Sequence, residues 1–211
     1  MSSKLVVALD IFDAEQAIDI SRKIGKEVFA VKINWPLIMV HGSSVISEIA
    51  AHAKVICDLK VADIPNTNSL IAGRAAEEGA WGIISHSFVG SDSLKAVVEA
   101  SGDVKVFSVV AMSHPGASEL IYPNHDRLIQ VSREVGVYGL IAPANDYEML
   151  RQIRKKVPEL KILAPGVGAQ GGSAREAIRN GADYVIAGRI VYRSENPIEE
   201  VRKLNSEILA V

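Results

Sequence analysis

Residues 55–67 read Val55-Ile56-Cys57-Asp58-Leu59-Lys60-Val61-Ala62-Asp63-Ile64-Pro65-Asn66-Thr67. An apolar run opens this stretch, charged residues appear inside it, and at Asp63 the strand gives way to a loop. A run that is apolar at consecutive rather than alternate positions suits a strand covered on both faces, as in a parallel sheet. The pattern recurs along the chain. Apolar runs stand at 5–9, 28–33, 82–86, 104–110, 139–142, 161–164 and 184–187. Helix-like amphipathic segments lie between them at 14–24, 68–78, 91–100, 126–135, 147–156 and 174–180, and a last one, 197–209, begins with Pro197 and is expected to close the structure. Eight strand-plus-helix units in 211 residues leave about 26 each, near the minimum for such a unit when typical barrels total roughly 250 residues.

Right-handed crossovers would close this repeat into a (β/α)8 TIM barrel, with an open doubly wound sheet as the competing architecture. The barrel is favoured because no linker divides the chain and because polar residues gather at the ends of the strands. Asp10, Lys32, Asp58, Lys60, His86 and Ser113 all fall there, on the rim where barrel active sites form. Composition sets the outer bounds. With 48% hydrophobic residues, residues 1–211 make one sizeable core and are expected to form a single domain. The 23 basic and 25 acidic residues leave a net charge of −2, which argues against nucleic acid as a partner. Cys57 is the one cysteine, so neither an internal disulfide nor a cysteine zinc cluster is available. No apolar run nears the roughly 20 residues of a membrane span, and the start of the chain is too short and acidic for a signal peptide. A soluble cytoplasmic location is the expectation.

Asp58 and Lys60, two apart on a strand, leave by the same face. On a barrel that face is the interior, where an Asp and a Lys are expensive unless paired. Asp10 and Lys32 end the two preceding strands, so an alternating array of Asp10, Lys32, Asp58, Lys60 and Asp63 is expected. Flanking carboxylates would keep a buried Lys60 protonated and able to donate a proton. The same carboxylates disfavour a Schiff base, which wants a depressed lysine pKa. Asp10, Asp58 and Asp63 could instead offer oxygens to Mg²⁺, although the lysines compete for them.

A second cluster lies late in the chain. The seventh run leads into Pro165-Gly166-Val167-Gly168-Ala169-Gln170-Gly171-Gly172, and the eighth ends in Gly188-Arg189. Loops after strands seven and eight of a TIM barrel frequently bind phosphate. Glycines let backbone N–H groups approach an anion, Arg189 can grip it bidentately, and Gln170 can add an amide from a closing loop. A phosphate monoester is therefore the expected substrate handle. His86 could line the pocket or, as a rim histidine, hold a loop; His114 is read as a loop-shaping residue, Cys57 as a small buried hydrophobe facing the helices, and Trp35 and Trp81 as packing or interface residues.

Taken with Ala8-Leu9-Asp10, Val31-Lys32-Ile33 and Met112-Ser113-His114-Pro115-Gly116, these motifs resemble the orotidine 5′-monophosphate decarboxylase family in its compact archaeal form. The resemblance runs from the first strand to Arg189. Asp58-x-Lys60-x-x-Asp63 alone marks the wider superfamily; Ile64-Pro65-x-Thr67 and the Met112–Gly116 motif are more specific. The resemblance implies cofactor-independent decarboxylation of orotidine 5′-monophosphate to uridine 5′-monophosphate in de novo pyrimidine biosynthesis. It implies that Lys60 protonates C6, that Asp58 sits against the substrate carboxylate, and that Asp10 and Lys32 contact the ribose and hold the charge network. It further implies a homodimer in which Asp63, Ile64 and Thr67 serve the neighbouring site. Ser113 would bind the pyrimidine and link it to Gln170. Gln170, Gly188 and Arg189 would hold the phosphate, with Pro165 and Val167 at the base of the loop. Asn34 departs from the small residue of the family pattern and is expected to lie beyond the inward-pointing spacing, facing loops. Two alternatives stay open: a Mg²⁺-dependent aldol lyase of the hexulose-phosphate type and a non-catalytic nucleotide-binding dimer.

Overall fold

The structure is a computed structural model that describes residues 3–168 and 171–210. Eight parallel strands pair in chain order and close on themselves. They are β1 (Leu5–Leu9), β2 (Ala30–Asn34), β3 (Val55–Val61), β4 (Gly82–His86), β5 (Lys105–Val109), β6 (Gly139–Ile141), β7 (Lys161–Val167) and β8 (Tyr184–Ala187). The helices are α1 (Ala14–Ile24), α2 (Trp35–His41), α3 (Ser44–Ala50), α4 (Pro65–Glu77), α5 (Ser91–Ser101), α6 (Ala117–Leu120), α7 (His125–Val135), α8 (Tyr147–Lys156), α9 (Ala174–Arg179), α10 (Arg189–Tyr192) and α11 (Pro197–Leu209). The (β/α)8 barrel expected from the sequence is thus the fold.

Side chains alternate across each strand, and two apolar layers result. Val6, Ala8, Ala30, Ile56, Ile84, Phe107, Val109, Ile141, Leu163 and Ile186 fill the barrel interior. The opposite faces, among them Leu5, Val7, Leu9, Val31, Ile33, Val55 and Cys57, pack against the helices. Continuous apolar runs are the sequence expression of this two-sided burial. At the end where the strands begin, Phe29 stacks on Tyr184 at 4.0 Å and meets Trp81 edge-on at 4.9 Å. Trp81 also packs near Phe107 and Tyr138, so aromatic rings plug that end and the charged end remains the open mouth.

Local chemistry explains the helix boundaries. Asp13 caps α1 by accepting from Gln16 N at 3.0 Å, Asp146 caps α8 through Met149 N at 2.9 Å, and Pro197 occupies the first turn of α11. Two helices, α2 and α3, occupy the β2–β3 connection, where no helix is expected from periodicity. Each has seven residues, and Gly42 at φ +78° turns the chain between them. Among the described residues no helix is long and apolar enough to cross a membrane.

Candidate active site

Strand register decides which of the charged residues meet. Lys32 lies level with Ala8 on β1 and Ile56 on β3, one layer below the mouth, while Asn34 lies level with Asp58. Lys32 is therefore the dry lysine, with a side chain 6% exposed. Its Nζ lies 2.9 Å from Oδ2 of Asp58 and 3.1 Å from Oδ1 of Asp10. Lys60 Nζ donates to the other Asp58 oxygen at 2.7 Å. The four residues form one alternating chain, Asp10–Lys32–Asp58–Lys60, with no net charge. Burial alone would lower the Lys32 pKa, but the Asp58 and Asp10 carboxylates outweigh it and hold it above lysine's ordinary value. Burial would likewise raise Asp58, yet Lys32 and Lys60 hold its carboxyl below the usual range.

Three expectations need correction, the third being that Asp63 joins the charged array. Lys60 is not buried: its side chain is 42% exposed, at the lip of the mouth. The reason is local. The β3–β4 pairing shifts register between Cys57 and Val61, a bulge that re-aims a side chain, and Lys60 adopts φ +44°, the one positive φ of a non-glycine among the described residues. Asn34 does not face loops. It stands two residues beyond Lys32 on the same inward face, and its Nδ2 donates to Asp10 Oδ1 at 2.8 Å. Its own Oδ1 is buried without a partner.

Asp63 stands outside the chain of four. Its Oδ1 accepts from Ile64 N at 2.7 Å, and its own N–H donates to Asn68 Oδ1 at 2.9 Å. With exposed Ile64 and half-buried Thr67 it sits where β3 passes into α4, and Pro65 opens that helix. Among the described residues no three His, Cys, Asp or Glu side chains gather as a metal-holding group. His86 points inward at the end of β4, 8% exposed, with Nδ1 buried and unpaired and its ring 4.6 Å from that of Phe88. Burial and the nearby Lys60 push its pKa down to about 4, with Asp58 opposing, so the imidazole is neutral near pH 7. Cys57 faces the helices as expected, and burial together with Asp58 pushes its thiol up to about 12.

Beside Asp58 and Lys60 lies a cavity of about 180 Å³ with Ser113 and Pro165 in its wall and an apolar floor of Ile84, Val109, Ile141 and Ile186. A wider groove of about 630 Å³, lined by Ile129, Arg133 and Lys156 among others, lies along α7 and α8, outside the barrel and away from the charged chain. Across the mouth, the glycine-rich loop is tied at its neck. Gly168 N donates to Gly172 O at 2.9 Å, Gly172 N to Gly166 O at 3.1 Å, and Val167 bridges Gly172. A Cβ on Gly172 would lie 2.7 Å from Gly166 O, so a side chain there would prise the neck open. Ala144 N donates to Pro165 O at 2.7 Å and Ser173 N to the Tyr147 hydroxyl at 3.1 Å, which anchors the neck to the β6–α8 connection. Gln170 lies outside the described residues. Gly188 follows β8 and lies against Ala8, and exposed Arg189 opens α10 beside it.

A closed parallel barrel with a charged chain at the C-terminal mouth, an apolar floor and a glycine-necked loop is the layout of a (β/α)8-barrel enzyme. Comparison with known proteins narrows the class. The family profile described as Orotidine 5′-phosphate decarboxylase / HUMPS family matches residues 3–204, and the chain belongs to that family. It is 56% identical over 206 residues to the orotidine 5′-phosphate decarboxylase of Thermoplasma acidophilum, covering 98% of this chain and 95% of the relative. It is 49% identical over 212 residues to that of Thermococcus kodakarensis, covering 99% and 98%. The solved orotidine 5′-phosphate decarboxylase from Pyrococcus horikoshii OT3 superposes with a TM-score of 0.92 at 44% identity, covering 98% of this chain and all of that one. The Methanocaldococcus jannaschii structure complexed with inhibitor BMP also gives 0.92, at 39% identity with 99% of both chains covered.

Proposed function

We propose that this chain decarboxylates orotidine 5′-monophosphate to uridine 5′-monophosphate in pyrimidine biosynthesis, without a cofactor, as a single catalytic domain over residues 1–211. The observation that carries the reading is the Asp10–Lys32–Asp58–Lys60 chain beside an apolar cavity, in a protein 56% identical to a named orotidine 5′-phosphate decarboxylase. The bond from C6 to the carboxylate carbon breaks, its electron pair stays on C6, and carbon dioxide leaves. Lys60 then delivers its proton to C6 and is reprotonated from water at the exposed lip. Asp58, held ionised between two ammonium groups, faces the substrate carboxylate. Repulsion between the two anions eases as the carboxylate becomes neutral carbon dioxide, for which Ile84, Val109, Ile141 and Ile186 provide an apolar surface. Ammonium charge fixed in place stabilises the carbanion without reorganisation cost.

Membership of the family supports the remaining roles. Asp10 and Lys32 bind the ribose side, and Ser113 binds the pyrimidine. Gly188, Arg189 and Gln170 hold the phosphate, with Pro165 and Val167 at the hinge of a loop that closes over it. Phosphate binding is remote from the bond that breaks, so its energy can drive closure. Asp63, Ile64 and Thr67 serve the site of a second copy in a homodimer; Ile64, just before α4, at 64% and Leu70 on it at 68% exposed give the apolar surface such an interface would cover.

The test is the ultraviolet absorbance of orotidine 5′-monophosphate incubated with the protein in excess EDTA. Conversion to uridine 5′-monophosphate is expected, and Lys60→Ala should abolish turnover while sparing product binding. Folded protein that leaves the nucleotide unchanged, but acts on sugar phosphates when Mg²⁺ is supplied, would overturn the reading in favour of an aldol lyase.

A further inference from the structure

Lys60 is held in a conformation that its own side chain disfavours. A left-handed φ is strained for a non-glycine residue and persists only where the surroundings impose it. At Lys60, φ is +44°, inside the β3 bulge. The carbonyls on either side of this residue are each taken by a side chain from a neighbouring element. Trp35 Nε1, from the start of α2, donates to Leu59 O at 2.8 Å. Ser85 Oγ, from β4, donates to Val61 O at 2.8 Å, and Ser85 is fully buried. A strand at a bulge lacks part of its ladder, so these carbonyls would otherwise go without partners or draw the backbone back toward regular pairing.

We infer that Trp35 and Ser85 are positioning residues that brace the Lys60 backbone from both sides and so aim its ammonium at Asp58 and the cavity. Neither side chain reacts. Each acts through Lys60, whose catalytic role rests on the function proposed above. Without the two donors the segment from Leu59 to Val61 relaxes toward regular strand geometry, and Lys60 Nζ leaves the 2.7 Å contact with Asp58 Oδ1. Displacement of a reacting group by about 1 Å can cost on the order of a hundredfold in rate, whereas the phosphate and ribose contacts lie on other strands.

The experiment has a kinetic and a thermal arm. In the first, Trp35→Phe and Ser85→Ala are assayed with orotidine 5′-monophosphate, and uridine 5′-monophosphate binding is titrated separately. Each variant should lose roughly tenfold or more in kcat, while KM and product affinity stay within about twofold, since only the placement of Lys60 is disturbed. Trp35 is at the surface, 43% exposed, so its variant guards against a folding failure of Ser85→Ala. Wild-type kcat in Trp35→Phe, or a parallel loss of turnover and product binding in both variants, would overturn the brace. In the second arm Lys60→Gly and Lys60→Ala are melted side by side. Glycine accepts the left-handed φ, so Lys60→Gly should melt about 2–4 °C above Lys60→Ala. An equal or lower melting point would show that no strain is held there. A wild-type protein inert toward orotidine 5′-monophosphate would overturn the proposed function alone; crystal structures of Trp35→Phe and Ser85→Ala would then decide the brace, which falls if Lys60 keeps its positive φ and its contact with Asp58 in both.

Discussion

Replacing Lys32 by Met probes the buried half of the charged chain. The Lys32 side chain is 6% exposed and that of Asp58 9%, with 2.9 Å between ammonium and carboxylate. Removing one partner from a buried pair typically costs about 3–5 kcal/mol, because the survivor stays buried and uncompensated. Asp58 would retain Lys60 at 2.7 Å, so we expect a loss near the lower limit, about 3 kcal/mol, or a melting point about 6–12 °C lower for a chain of this size. Adding Asp58→Leu removes the second charge. The two exposed ends, Asp10 at 44% and Lys60 at 42%, then turn to water, and the double variant should recover to within about 1 kcal/mol of wild type. Recovery without turnover would establish that the chain is kept for chemistry and not for stability. Urea unfolding followed by circular dichroism on all four corners of this double-mutant cycle measures the coupling. A loss below about 1 kcal/mol for Lys32→Met, or a double variant as unstable as the two singles summed, would refute the reasoning. The contribution of the pair has a defined pH window. Asp58 is depressed, so its share is full above about pH 4 and fades as pH falls through the folded value; Lys32 is raised, so its share is full below about pH 10 and fades only as pH rises through its folded value.

Three further outcomes are expected. The depressed pKa of His86, about 4 against an ordinary 6.5, means the unfolded chain binds a proton that the folded one refuses, so stability is full above about pH 6.5 and declines toward pH 4 by roughly 3 kcal/mol. The difference between wild type and His86→Leu should trace that decline, and a difference flat across pH 4–7 would contradict it. Gly139→Ala should destabilise by about 1–3 kcal/mol, since a Cβ there would lie 2.5 Å from Lys161 O and 2.8 Å from the Phe107 ring; an unchanged denaturation midpoint would show that β6 can give way. Cys57, with its thiol pushed up to about 12, should resist alkylation at pH 8 in the native protein and react fully in urea.

Much of the barrel is legible in the sequence because two-sided burial writes itself as consecutive apolar residues. The runs at Leu5–Leu9, Gly82–His86 and Tyr184–Ala187 are strands with those very limits, and Ala14–Ile24, Tyr147–Lys156 and Pro197–Leu209 are helices as expected. The charges at the strand ends announced the mouth for a similar reason: a buried Asp or Lys is too costly to place without partners. Short elements escape this reading. Helices α2 and α3, of seven residues each, and α6 and α10, of four, fall in connections where no apolar period stands out.

Residue types and strand spacing alone thus determine the fold class, the open end and four members of the charged chain; that Asp63 stands outside it is decided by tertiary structure. Tertiary structure alone decides which lysine is dry, which is exposed and what Asn34 touches. The stagger of neighbouring strands sets Lys32 one layer below the mouth, and a bulge braced by Trp35 and Ser85 lifts Lys60 to its lip. Register and bulges depend on contacts between residues far apart in the chain, and no periodicity within a single strand encodes them.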